Sequence, residues 1–216
     1  MLRVDSEALR RRQLIDATID AIAEVGFAQA TLGTIARRAG VSPGLVAHYF
    51  ANKEGLLEAS MRRLVRDLGS DIRRRLARLT SPRERIQAVI DVNLDPAEFD
   101  RRTATVWLAF WAQVPHSPVL ARIQRAYKRR TESTLVHALV SLAPRPEARR
   151  LAHAIAALID GVWLRAALGE GEPDAGEAAA LASAFVDSQL ALIRLAGLRM
   201  PQGAGEGRRR PDRDAP

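Results

Sequence analysis

The three tryptophans of this 216-residue chain fall in two short segments, VWLAFWA over 106–112 and LIDGVWLRAAL over 158–168. Trp107 and Trp111 are four apart and Asp160 and Trp163 three apart, so each pair shares one face of a helix. Phe110 between the first pair, and Tyr127 on the stretch between the two segments, extend the candidate set. Aromatic faces with a carboxylate suit a quaternary ammonium, which has no hydrogen bond to donate. Such a cation is held by cation–π attraction of about 0.5–2 kcal/mol per contact. The same spacing also fits tryptophans packed into a core, and spacing alone leaves both readings open.

A second set lies near the N-terminus, in GVSPGLVAHYF over 40–50. Ser42 reads as a helix cap and Pro43 as the first helical residue, where its missing N–H costs nothing. Val46 and Phe50 share a face with Val41 and would pack inward on Leu32, Ile35 and Ala36. Gly44, Leu45, His48 and Tyr49 then face the opposite way, with Pro43 and Ala47 at the margin. That surface is thin enough to enter a groove. There His48 can meet a base edge or phosphate, and Tyr49 can donate to a phosphate. Thr31, Thr34 and Lys53 sit at helix starts, which favour phosphate. A helix over 32–39, stopped by Gly40 and followed by this one, makes a helix-turn-helix over 31–50.

The elements that must position these residues are all helical. Helices are expected at 6–25, with Gly26 as the stop, at 32–39, at 43–50, and from Lys53 through Leu68. Further helices are expected near 83–93, 102–114, 117–142, 146–168 and 175–196, with proline- and glycine-bearing breaks between them. The first helix carries Leu9, Ile15, Ile19, Ile22 and Val25 on one stripe. Leu151, Ile155, Leu158 and Val162 make another stripe, and Leu181, Phe185, Val186, Leu190 and Ile193 a third. Residues 199–216, rich in Pro, Gly, Arg and Asp, read as a disordered tail.

Composition narrows the function classes. There is no cysteine, so neither a disulfide framework nor a thiolate metal site can form. The opening residues lead straight into a charged helix with no leader pattern, and the most apolar windows are too short to span a bilayer. A cytoplasmic protein with no membrane partner is the expectation. The four histidines stand far apart without a metal-ligand pattern, and no glycine-rich phosphate loop follows a strand. No catalytic residue, cofactor or metal is therefore expected. Net charge is +8, unevenly spread: residues 61–85 hold nine Lys/Arg against three Asp/Glu, and 122–150 hold eight against two. A protein coating any nucleic acid would fit that total, with a steep salt slope for every duplex. The neutral first 60 residues, which contain the helix-turn-helix, fit a sequence-reading protein better.

The run Thr31-x-x-Thr34-Ile35-Ala36-x-x-Ala39-Gly40-Val41-Ser42-x-Gly44, followed by His48-Tyr49-Phe50, Lys53 and Leu56-Leu57, resembles the TetR family of bacterial transcriptional repressors. Ala47 stands where that family often has tyrosine. The resemblance implies a three-helix DNA-binding domain over 8–68 and a helical regulatory and dimerisation domain over 69–198. It also implies a homodimer, paired through two helices of each subunit, on double-stranded operator DNA. RRRQLIDAT over 10–18 and the two tryptophan segments extend the likeness into both halves. They resemble the branch that controls choline uptake and glycine betaine synthesis and is released by choline. A family repressor of other genes, such as an efflux pump induced by another cationic or lipophilic molecule, would use the same aromatics.

Overall fold

The computed structural model describes residues 2–198, and among them the regular structure is helical, with no strand. The order is α1 (Leu2–Gln29), α2 (Leu32–Arg38), α3 (Pro43–Phe50), α4 (Lys53–Leu76), α5 (Pro82–Asn93) and α6 (Arg101–Gln113). A 3-10 turn (Val114–His116), α7 (Pro118–Leu139), α8 (Arg145–Leu168) and α9 (Ala175–Leu198) complete it. The expected tail at 199–216 lies outside the described residues.

Short polar side chains set the helix starts by accepting the free N–H groups of the first turn. Thr31 Oγ1 accepts from the Thr34 N–H at 3.1 Å, Ser42 Oγ from Leu45 at 3.3 Å and Asn52 Oδ1 from Gly55 at 2.8 Å. Asp100 and Ser117 cap α6 and α7 in the same way.

The first helix differs from expectation. Gly26 takes φ 75° and ψ 165°, which bends α1, but one more turn follows to Gln29. The α1 core also runs through Leu14, Ala17 and Ala21 beside Ile15 and Ile22, while Leu9 is exposed. α4 continues past Leu68 to Leu76, so residue 68 falls inside one unbroken helix. That helix, with α1, joins the N-terminal helices to the rest: α1 packs on α2, α4 and α6, and α4 on α5 and α7. Arg102 of α6 is paired with Asp20 of α1.

Of the stripes expected on the last two helices, Leu151, Ile155, Val162, Val186 and Leu190 are buried within this one chain. Exposed, by contrast, are Leu181 of the expected stripe and, outside the stripes, Leu164 and Leu168 on α8 and Leu192 and Leu195 on α9. Both helices are also long and apolar enough to cross a membrane by length and composition, contrary to the sequence expectation. Alanines carry much of that apolarity, and a scan for runs of bulky residues passes over them.

Candidate functional site

The N-terminal site is built on α2 and α3. Val46 and Phe50 are buried, which turns Pro43, Gly44, Ala47 and His48 to solvent, with Leu45 and Tyr49 half-buried. A Cβ on Gly44 would touch nothing within 4 Å, so packing does not require glycine there. At Gly55, by contrast, a Cβ would stand 2.7 Å from the Phe50 carbonyl oxygen, so the tight passage from α3 into α4 depends on glycine. Arg11 of α1 steadies the end of α3. Its guanidinium donates to the Tyr49 carbonyl at 3.1 Å and lies 4.4 Å from the centroid of the Phe50 ring.

Two expectations for this region change in detail. Lys53 does not simply project from a helix start: its ammonium donates to the carbonyls of Phe27 and Ala28 and stands 4.0 Å from the Phe27 ring centroid. Burial lowers its pKa, against the raising effect of Glu54. It closes the last turn of α1 and keeps one of its three N–H donors for another partner. The Thr31 and Thr34 hydroxyls are 2.9 Å apart, and Thr34 reaches the Gln29 carbonyl at 3.3 Å, so both are engaged in the cap.

The second site is a cavity of about 1010 Å³ whose wall brings together Trp107, Trp111, Tyr127, Asp160 and Trp163, from α6, α7 and α8. The Trp107 and Tyr127 rings stack with centroids 6.2 Å apart, and Trp107 and Trp111 are 6.1 Å apart. Phe110 does not join them. It is fully buried, one residue before Trp111 and so turned about 100° around the helix, and it packs edge-on behind Trp107 at 6.3 Å. Its place is in the core.

Sequence reasoning missed the residue that organises this wall. The Trp163 indole N–H donates to the Asn93 backbone oxygen at 2.9 Å, and the Tyr127 hydroxyl to Asn93 Oδ1 at 2.9 Å. The Asn93 amide is itself held by the Val89 carbonyl at 2.7 Å. An asparagine in the last turn of the apolar helix AVIDVN was the available signal. Phe99, edge-on to Trp163 at 4.7 Å, was also missed. Burial, above all, raises the pKa of Asp160, with Glu132 adding and Lys128 opposing. Burial, then the Asp160 charge, raises that of Tyr127, so the phenol stays a neutral donor. Asp67, Asp71, Asp95 and Glu98 line another part of the cavity, and Glu98 is raised by burial and by these neighbours. Asp16 and Ile19 of α1 and Leu64 and Leu68 of α4 complete it, so its wall reaches the helices that hold α2 and α3. Among the described residues, no group of three His, Asp or Glu is placed to hold a metal.

A helix-turn-helix held by two helices that also wall an aromatic cavity has the architecture of a one-component DNA-binding regulator. Residues 14–60 match the bacterial regulatory proteins of the tetR family, and residues 82–191 match the C-terminal domain of BetI-type transcriptional repressors. The HTH-type transcriptional regulator BetI 1 of Chromohalobacter salexigens is 46% identical over 192 residues, spanning 88% of this chain and 95% of its own. BetI of Stenotrophomonas maltophilia is 44% identical over 185 residues, 85% of this chain and 94% of its own. Among solved structures, a transcriptional regulator from Rhodococcus sp. Rha1 superposes with TM-score 0.72 at 29% identity, covering 86% of this chain and 96% of its own. One from Saccharomonospora viridis, solved in complex with choline, superposes with TM-score 0.74 at 21% identity, covering 83% and 96%. The chain belongs to the TetR family of transcriptional regulators and carries a BetI-type C-terminal domain. It is a DNA-binding repressor rather than an enzyme.

Proposed function

We propose that this repressor binds operator DNA as a homodimer, controls genes of choline uptake and glycine betaine synthesis, and is released by choline. The observation that carries the inducer is the convergence of Trp107, Trp111, Tyr127 and Trp163 with Asp160 on one cavity. Aromatic faces hold the quaternary ammonium and the carboxylate answers its charge. The choline bound by the Saccharomonospora viridis protein, and the BetI relatives, support the same ligand.

The DNA contacts fall to Pro43, Gly44, Leu45, Ala47, His48 and Tyr49 on α3, with the remaining Lys53 donor on a phosphate and with Thr31 and Thr34 reaching phosphates by giving up a hydroxyl bond of the cap. One recognition helix reads too few base pairs to mark a genomic site, and two-fold pairing repairs that. The surface that pairs is the exposed set Leu164, Leu168, Leu181, Leu192 and Leu195. A Cβ at Gly161, beside it on α8, would touch nothing within 4 Å in this chain, which leaves room for a partner helix to approach. Two helices from each subunit then form a four-helix bundle. Ligand in the cavity displaces α1 and α4 together, and with them the spacing of the two recognition helices. Release requires the ligand to prefer the non-binding state by several kcal/mol.

A second reading has one observation in its favour: about 1010 Å³ is at the upper end of drug-sized sites and exceeds what a cation as small as choline fills. A bulkier cation would use the same wall. Calorimetric titration of the purified protein with choline and with tetraphenylphosphonium separates the two, with Trp111→Ala alongside. Saturable choline binding, weakened about two- to thirtyfold in a folded Trp111→Ala variant, is the expected result. Binding of the phosphonium alone would replace choline with a larger inducer, and binding of neither would remove the cation site.

A further inference from the structure

Within the two basic stretches of the sequence, 61–85 and 122–150, Arg62, Arg66, Arg73 and Arg130 line neither site described above. The fold brings their helices together. Between α4 and α7 lies a second cavity of about 380 Å³, walled by Arg62, Arg66 and Arg73 from α4 and Arg130 from α7. Arg73 Nη1 and Arg130 Nη1 each stand 3.8 Å from the point where a Cβ on Gly69 would lie, so two guanidinium groups converge over a bare patch of helix. None of the four arginines pairs with a carboxylate among the described residues, although the neighbouring Arg63, Arg74 and Arg75 all do. The remaining wall is mainly apolar, with Val65, Ile72, Leu76, Ile123 and Ala126 beside Tyr127, Thr131 and Thr134.

We propose that this groove is a second small-molecule site, which takes an anion carrying an apolar body, a carboxylate or phosphate monoester on a hydrocarbon chain. Guanidinium forks bind the oxyanion in bidentate fashion, and convergent like charges without partners are relieved when it arrives. The apolar wall accepts the hydrocarbon, and the volume suits a small ligand. Operator phosphates are a poorer fit. Gly69 stands about 24 Å along α4 from Lys53 at 1.5 Å per residue, and a phosphate backbone has no use for an apolar wall. Tyr127 lines this groove as well as the aromatic cavity, so an anion fastening α4 to α7 bears on the wall of the inducer site.

The test is calorimetric titration of the full chain with sodium octanoate and, separately, with inorganic phosphate, in the native protein and in Arg73→Gln/Arg130→Gln. Saturable octanoate binding, one per chain, is expected to weaken at least tenfold in the double variant, with choline titration the same in both proteins. Because both arginines are exposed, the variant should stay folded, and Arg66→Gln gives an independent check with a smaller loss. Octanoate binding unchanged by both variants, or no octanoate binding at all, overturns the site. Phosphate binding as tightly as octanoate overturns the apolar half. A double variant that fails only in binding every duplex, with a shallower salt slope, reassigns the arginines to DNA. Failure of choline to bind removes the inducer reading and leaves this result intact.

Discussion

The recognition helix and the aromatic cavity solve opposite problems. α3 is eight residues long, is capped by its own neighbour Ser42, and buries only Val46 and Phe50. Of the side chains proposed to meet DNA, Pro43, Gly44, Ala47 and His48 are exposed and bear little of the packing, and Leu45 and Tyr49 are half-buried. The cavity draws Asn93, Trp107, Tyr127 and Trp163 from four helices, and Asn93 and Trp163, joined by a hydrogen bond, are separated by 70 positions. Its wall residues are also structural ones: Trp107 and Trp163 are 8% and 7% exposed. Function should therefore be separable from stability on α3 and entangled with it around the cavity.

The sharpest break in that contrast is at Phe110, beside Trp111 on α6 but inside the core. Phe110→Ala should cost about 3–5 kcal/mol of stability, as a large buried ring leaving a cavity does. Urea unfolding measures it. A loss below about 1 kcal/mol would mean that Phe110 is not the packing residue its burial implies.

This contrast also explains what could be read from the sequence. Around α3 the determinants are local: Ser42 as cap, Pro43 at the first position, Val46 and Phe50 on one face. Each follows from chain order alone. The grouping of Trp107, Trp111, Asp160 and Trp163 was also legible, from residue type. Asn93 was not, because its role depends on a backbone oxygen and an amide meeting side chains of two distant helices. Phe110 was misplaced because a single helical step separates the face of Trp111 from the core. Lys53 was read as a free phosphate donor because nothing in the sequence brings it to the end of α1. On α8 and α9 periodicity found apolar stripes but could not say which of them the chain covers by itself.

On α3 the effect should be smaller and of the other kind. His48→Ala with Tyr49→Phe should weaken operator binding by about 1–3 kcal/mol, the range of one lost groove contact. Because His48 is exposed and Tyr49→Phe keeps the half-buried ring, thermal stability should change by no more than about 0.5 kcal/mol. Fluorescence anisotropy on operator DNA and a denaturation curve give the two numbers. Equal losses in both would end the claim that binding is separable here.

Asp160 tests the entangled side of the comparison, since there function and stability should move in opposite directions. Burial raises its pKa, so the folded chain favours the protonated acid, and holding the ionised carboxylate there at neutral pH costs stability. A raised folded-state pKa means the contribution is most favourable below the unfolded value and is lost as pH rises through the folded one. Asp160→Asn removes that cost, so the ligand-free variant should be more stable than the native protein at pH 8 and no more stable at pH 4. A bound quaternary ammonium needs the opposite state. Choline affinity should rise with pH through the raised Asp160 pKa, level off above it, and be lower in Asp160→Asn by about tenfold, or 1.4 kcal/mol. The variant's affinity should be flat across the same range. Calorimetry from pH 4 to pH 8 decides it. A pH-dependent affinity that survives in Asp160→Asn would move the charge-bearing role to the carboxylates at Asp95 and Glu98 on the same cavity.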